Sequence, residues 1–346
     1  MSSKINQIRV QNRYLKWLLF TLVLTVLLVA ATLLSLTTGE AKIDLSNLIS
    51  VLRQQDSIEY YILTQIRIPR ILLAFATGGA LSLSGALLQG IFRNPLVEPY
   101  TLGISGGAAL GVAFTIVLGL HLTLGIYILP LSGFIGALLT IFIVGVLGFL
   151  RGNSDINKML LIGVMISFIA SSIMMLLMSI TTANNLHGII FWIMGSLDEP
   201  NKNLIYTCLA AAIAGLLISY LFARPLNALL LGEEKANYLG INSKATIRIL
   251  FITSSLLTGI CVSVAGVIGF VGLVIPHLIR LLVGSDYRFL IVGSFLGGSI
   301  FLILSDVIAR TIIAPNELPI GVITGILGGV LFIIILNRMR KKSRHV

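Results

Sequence analysis

Residues 67–111 read RIPRILLAFATGGALSLSGALLQGIFRNPLVEPYTLGISGGAALG, two membrane-length apolar stretches joined at the polar turn Arg93-Asn94-Pro95. A bilayer offers a bare peptide group no hydrogen-bond partner, so each stretch must be helical. Gly, Ala and Ser crowd both stretches and let helix backbones approach closely. A lone anchor has no use for such closeness, whereas helices packed around a transport pathway do.

The rest of the chain agrees. With 346 residues, 57% hydrophobic and 11% charged, and a mean hydropathy of +1.02, it is too apolar for a water-soluble globule. A span needs about 20 apolar residues. Runs of that kind predict an all-α polytopic membrane protein of about ten transmembrane helices, near 17–37, 71–92, 100–119, 124–150, 158–180, 203–222, 247–266, 267–283, 289–313 and 319–336. The seventh and eighth are divided only by Gly266, Gly269 and Gly272. The first apolar run is longer than the core of a cleaved secretion signal and is read as a retained span.

Placing both termini in the cytoplasm leaves only Lys42, Arg53, Arg67, Arg70, Lys202 and Arg310 of the 24 basic residues outside. That bias obeys the positive-inside rule and supports an even number of spans. It also accounts for the net charge of +11 through anionic headgroups, with no nucleic acid as partner. Cys208 and Cys261 lie far apart inside predicted spans and are read as core residues. The four scattered histidines define no metal site.

The chain reads as one transmembrane domain, 1–346. Two loops are large. Residues 38–66 fall outside, with a short surface helix expected over 44–52. The inner loop, RPLNALLLGEEKANYLGINSKATIR from Arg224 to Arg248, is punctuated. Pro225 can open one short helix and Gly232 end it; Glu233 and Glu234 then fall in the first turn of a second helix, favourable for its dipole, and Gly240 stops it. Such a hairpin either rests on lipid or is a lever pressed into a cytoplasmic partner. An offset of five helices would relate spans two to five to spans seven to ten as an inverted repeat.

Several residues invite a functional reading. Arg67 and Arg70 begin the second span at the outer surface, with Pro69 suited to a first helical turn, and Arg310 and Glu317 approach the same surface. These arginines either snorkel to headgroup phosphates or form a docking rim for carboxylates of a soluble protein. Asp306 and Arg310, four apart, can pair on one helix face. A proton relay built on them has little else to work with. Gly103, Gly107 and Gly111, like Gly321, Gly325 and Gly329 and the shorter pair Gly293 and Gly297, form close-packing stripes. Gly103-Ile104-Ser105-Gly106-Gly107 fits the GxSxG of serine hydrolases, but only His277 could serve as an intramembrane base, and no catalytic residue is assigned. Trp192, in residues 188–197, marks an aromatic interfacial helix or a mobile vestibule element. No Gly-Lys pair exists in the sequence, so no Walker A loop is present and any ATP hydrolysis must come from another polypeptide.

Arg67-Ile68-Pro69-Arg70, Ser84-Gly85-Ala86-Leu87-Leu88-Gln89-Gly90, Arg93-Asn94-Pro95-Leu96, residues 102–111, Gly269-Phe270-Val271-Gly272-Leu273-Val274-Ile275-Pro276-His277 and Glu317-Leu318-Pro319-Ile320-Gly321 resemble, in order and over the whole chain, the permease subunits of importers for ferric siderophores, haem and cobalamin. The resemblance implies a homodimer, or a pair of homologous permeases, of ten-helix subunits in a bacterial or archaeal plasma membrane. It implies two cytoplasmic ATP-binding subunits and one extracytoplasmic substrate-binding protein, with no cofactor of its own. By the same resemblance Arg67, Arg70 and Arg310 match arginines that dock the binding protein. Residues 224–242 match the ATPase coupling segment, with Leu231, Gly232, Glu233, Glu234, Lys235, Ala236, Leu239, Gly240 and Ile241 in the matching positions. Asn237-Tyr238 departs from that pattern, where relatives often carry a basic and a small polar residue. The alternative energy source is an ion gradient, as in a secondary transporter.

Overall fold

The computed structural model describes residues 2–39, 43–125, 127–149 and 156–342. Glu40, Lys42, Arg151, Arg344 and His345 of the sequence reading lie outside the described residues. The helices in chain order are α1 (Ser2–Thr37), α2 (Leu48–Arg53), α3 (Ile58–Tyr61), α4 (Ile68–Ile91), α5 (Ile104–Val117), α6 (Leu120–Thr123), α7 (Ile128–Phe149) and α8 (Ile156–Ile180). There follow α9 (Ala183–Met194), α10 (Lys202–Leu221), α11 (Ala223–Leu229), α12 (Glu233–Tyr238), α13 (Ser243–Ala265), α14 (Val271–Val283), α15 (Tyr287–Thr311) and α16 (Ile320–Lys342). No strand occurs among the described residues. Among the described residues eight helical stretches are long and apolar enough to cross a membrane, and the two shorter apolar helices α5 and α14 occupy the places of the third and eighth expected spans.

Helix α4 is the axis of the bundle. Nearly every residue from Pro69 to Ile91 is buried, which its Gly, Ala and Ser content permits. A Cβ added to Gly85 would lie 1.8 Å from the Gly272 carbonyl oxygen of α14, and one on Gly107 would lie 2.0 Å from Thr140 Oγ1 of α7. The stripes on α5 and α15 therefore serve contact between helices. Gly325 on α16, in contrast, faces nothing within 4 Å. Helix α1, the opposite extreme, leaves most of its apolar side chains exposed and touches the bundle through Leu24, Ala31 and Ser35.

Helix neighbours recur across the two halves. The packing of α4 on α15 is matched by α13 on α7, that of α5 on α7 and α8 by α14 on α15 and α16, and that of α7 on α8 by α15 on α16. Even the irregularities correspond. The short helices α5 and α14 both start at a left-handed residue, Gly103 with φ 79° and Phe270 with φ 68°. This is the internal repetition that the five-helix offset predicts.

Three departures from the sequence reading have local causes. The second span does not begin at Pro69: α4 runs back through a π-helical turn, Ile62–Arg67, into α3. Proline has no N–H for the carbonyl four residues earlier, and a wider turn re-routes that demand. The eighth span is a 13-residue helix, reached by an irregular stretch from Gly266 that glycine-rich sequence permits. Finally, the helix around Trp192 starts five residues before Gly188: α9 has 12 residues from Ala183 and is N-capped by Thr182.

Candidate functional site

At one end of the bundle a charged cluster joins four elements. Arg70 donates from Nε to Asp306 Oδ1 at 2.7 Å and from Nη1 to Glu317 Oε2 at 2.7 Å. The expected pair within α15 forms as well, with Arg310 Nε 3.0 Å from Asp306 Oδ2. Arg310 then reaches α1, donating to Ser35 Oγ at 2.8 Å and to the carbonyl of Thr38 at 3.4 Å, while Arg67 donates to the carbonyl of Leu36. Arg67, Arg70, Asp306 and Arg310 are each at most 9% exposed, whereas the Glu317 side chain is 47% exposed. Burial of this kind demands paired charges. Arg67, Arg70, Arg310 and Glu317 also line a cavity of about 240 Å³. The sequence reading identified the three arginines and Glu317 but not the bond between Arg70 and Asp306, nor Ser35, whose serine character carries no signal.

Beside this cluster lies a larger cavity, about 710 Å³, whose wall includes Arg70, Glu317, Thr182, Asn184, Asn185 and Trp192. Helix α9 thus forms one wall of that cavity. On the far side of Trp192 a cavity of about 220 Å³ carries Asp198 and Glu199. Burial, reinforced by the neighbouring Asp198 charge and only partly offset by the Asn201 amide, pushes the Glu199 carboxyl above the usual range.

The opposite end carries the hairpin. Helix α11 holds Pro225 in its first turn. Gly232, with φ 109°, breaks the chain before α12, whose first turn contains Glu233 and Glu234. After α12 the Gly240 φ of 79° and the bond from the Ile241 amide to the Ala236 carbonyl at 3.1 Å close the helix in the manner expected of a glycine stop. Ala236 is buried, but Leu231, Leu239 and Tyr238 are 58%, 64% and 90% exposed. Asn237 has a role within the chain: its Oδ1 accepts from the Ser243 amide at 3.2 Å. Asn227 likewise bonds Asp286 Oδ1 at 2.8 Å and the Tyr287 amide at 2.9 Å. Arg93, in a left-handed turn with φ 49°, lies 3.8 Å from Glu233, so the α4–α5 connection and the hairpin meet.

Between the two ends the α4–α5 loop holds the break before α14. Tyr100 Oη donates to the Ile268 carbonyl at 3.0 Å and accepts from the Ile268 amide at 3.1 Å, and Glu98 accepts from the Phe270 amide. Burial pushes the Glu98 carboxyl above the usual range, and the Phe270 bond recovers part of that shift. Neither residue was singled out by the sequence reading. His277 stands edge-on to Phe332, ring centroids 6.1 Å apart, and its ring nitrogens make no hydrogen bond to Ser105. Cys208 and Cys261 are both buried, and Cys208 Sγ lies 3.7 Å from Thr77 Oγ1. Among the described residues no group of His, Cys, Asp and Glu could hold a metal ion.

A sequence profile described as the FecCD transport family matches residues 27–338. The chain is 39% identical over 285 residues to the hemin transport system permease protein HmuU of Yersinia pestis, covering 82% of this chain and 85% of that one. It is 38% identical over 326 residues to the vitamin B12 import system permease protein BtuC of Salmonella typhi, covering 94% and 96%. Among solved structures, a chain described as a putative metal-chelate type ABC transporter in an inward-facing conformation superimposes with a TM-score of 0.83 at 32% identity, covering 92% of this chain and 98% of that one.

Proposed function

The chain belongs to the FecCD transport family, and from that premise we propose that it is the membrane-spanning subunit of an ATP-driven importer for a large iron chelate, haem or corrinoid. It works as a homodimer, or with a homologous permease, in a bacterial or archaeal plasma membrane with both termini cytoplasmic. The observation that carries this is the hairpin α11–α12. A structured element outside the spans exposes Leu231, Tyr238 and Leu239, and exposed apolar clusters of this kind are contact surfaces. Each of two ATP-binding subunits would receive one such hairpin over residues 224–242. Closure of the ATPases would push it and, through Arg93 and Glu233, move α4.

At the other end a soluble binding protein would deliver cargo. Arg67, Arg70 and Arg310 would dock it, with carboxylates of the partner entering the small cavity these arginines line. Because all three are already engaged, docking adds acceptors to a preorganised cluster. It does not recruit free side chains.

Coexpression with the ATP-binding subunits and binding protein, followed by uptake into proteoliposomes, tests the proposal. ATP should be required and an ionophore without effect; ionophore-sensitive uptake without ATP would establish the secondary-transporter alternative. Arg67→Gln, which keeps a donor for Leu36 but removes the charge, should weaken binding-protein capture by about tenfold or more and leave ATPase assembly intact. Unchanged capture would refute the docking role.

A further inference from the structure

The cavity of about 710 Å³ beside Arg70 is large enough to hold much of a metal chelate, and its walls carry a legible charge pattern. Of its charged wall residues, Arg70 and Glu317 are bonded to each other, and Arg70 is also bonded to Asp306. Arg67 and Arg310 stand behind Arg70, and Asp198 and Glu199 stand behind Trp192. On the wall itself Arg70 and Glu317 cancel, and Arg70 already has two carboxylates beside it. The polar remainder of the wall includes the Asn184 and Asn185 amides and the Thr182 hydroxyl, with the Trp192 indole as a flat face.

We infer, building on the importer reading, that this vestibule selects electroneutral or singly positive chelates with an amide or hydroxamate rim and rejects trianionic ones. In a ferric trihydroxamate the three ligand charges cancel those of the iron, and the amide carbonyls of the ligand backbone, which do not bind the metal, can accept from the Asn184 and Asn185 amide groups. A ferric tris-catecholate keeps three uncancelled negative charges. Held in this cavity it would lose water, find Arg70 already paired with two carboxylates, and face Glu317. An unpaired charge so placed is disfavoured, so discrimination comes from repulsion as much as from attraction.

Trp192 reports the event. The sequence contains two tryptophans, and Trp17 is remote from the cavity, stacked on Phe289. The full-length chain with Trp17→Phe, in lipid nanodiscs, is titrated with a ferric trihydroxamate and with a ferric tris-catecholate of similar size. Saturable quenching of Trp192 should occur at a concentration about tenfold lower for the hydroxamate. Replacing both Asn184 and Asn185 by Leu should raise its half-saturation about fivefold or more, as loss of hydrogen-bond donors requires. Equal or tighter catecholate quenching, or no saturable quenching by either chelate, overturns the inference. ATP-dependent uptake by the assembled importer is scored separately. Uptake without a charge preference at Trp192 refutes the inference and leaves the importer standing; a preference at Trp192 without ATP-dependent uptake does the reverse.

Discussion

Replacing Asp306 by Asn should destabilise the protein far more than replacing Glu317 by Gln, although both carboxylates bond Arg70 at 2.7 Å. Asp306 is 1% exposed and also lies 3.0 Å from Arg310 Nε. At these separations an effective dielectric of about 20 gives an attraction of roughly 6 kcal/mol per contact, much of it offset by desolvation. Removing one member leaves the arginines buried with less compensation, and such removals cost about 3–5 kcal/mol. Glu317 is 47% exposed, water can replace it, and its loss should cost at most about 1 kcal/mol. At about 2 °C per kcal/mol for a large domain, Asp306→Asn should lower the midpoint of thermal aggregation in nanodiscs by roughly 6–10 °C, against about 2 °C for Glu317→Gln. A double-mutant cycle between Asp306 and Arg310 should show coupling above about 1 kcal/mol. Equal midpoints for the two single variants would refute the claim that burial sets the strength of this cluster.

Tyr238→Glu together with Leu239→Glu should abolish copurification with the ATP-binding subunits while leaving the thermal midpoint within about 2 °C, since both side chains are exposed. Gly85→Val should prevent accumulation of folded protein, because even a Cβ would sit 1.8 Å from the Gly272 oxygen; overpacking by one methylene already costs about 1–3 kcal/mol. Glu98→Gln should have a pH-dependent effect on the thermal midpoint. The Glu98 carboxyl is raised on folding, so the native state holds the proton more tightly and wild-type stability falls as pH rises from the unfolded value, about 4.3, through the folded one. The glutamine side chain does not titrate and removes that loss, so the variant should gain on the wild type as pH rises above about 4; a pH-independent difference would contradict the burial argument.

Features that depend on local chemistry were legible in the sequence. The apolar runs mark the spans because lipid demands helices, and Pro225, Gly232 and Gly240 mark the hairpin because each restricts or frees φ at its own position. The i, i+4 spacing of Asp306 and Arg310 announced their pairing. Contacts between remote residues were not legible. Arg70 meets Asp306 across 236 positions, Tyr100 meets Ile268 across 168, and Ser35 meets Arg310 only because α1 packs on α15. Asn184 and Asn185 are ordinary polar residues until α9 is placed beside Glu317. Asn237, which stood out as a departure in a contact segment, instead holds the Ser243 amide.

The 24 residues of α4 span about 36 Å at 1.5 Å each, with Arg70 in the first turn and Arg93 just beyond the last. One unbroken rod therefore has the Arg70–Asp306–Glu317 cluster at its head and the Glu233 contact at its foot. Thermodynamic reciprocity then applies across the bilayer: if nucleotide occupancy below alters the grip on a docked carrier above, arrival of the carrier must alter nucleotide affinity by the same factor. Two titrations made from opposite sides of the membrane should return one number.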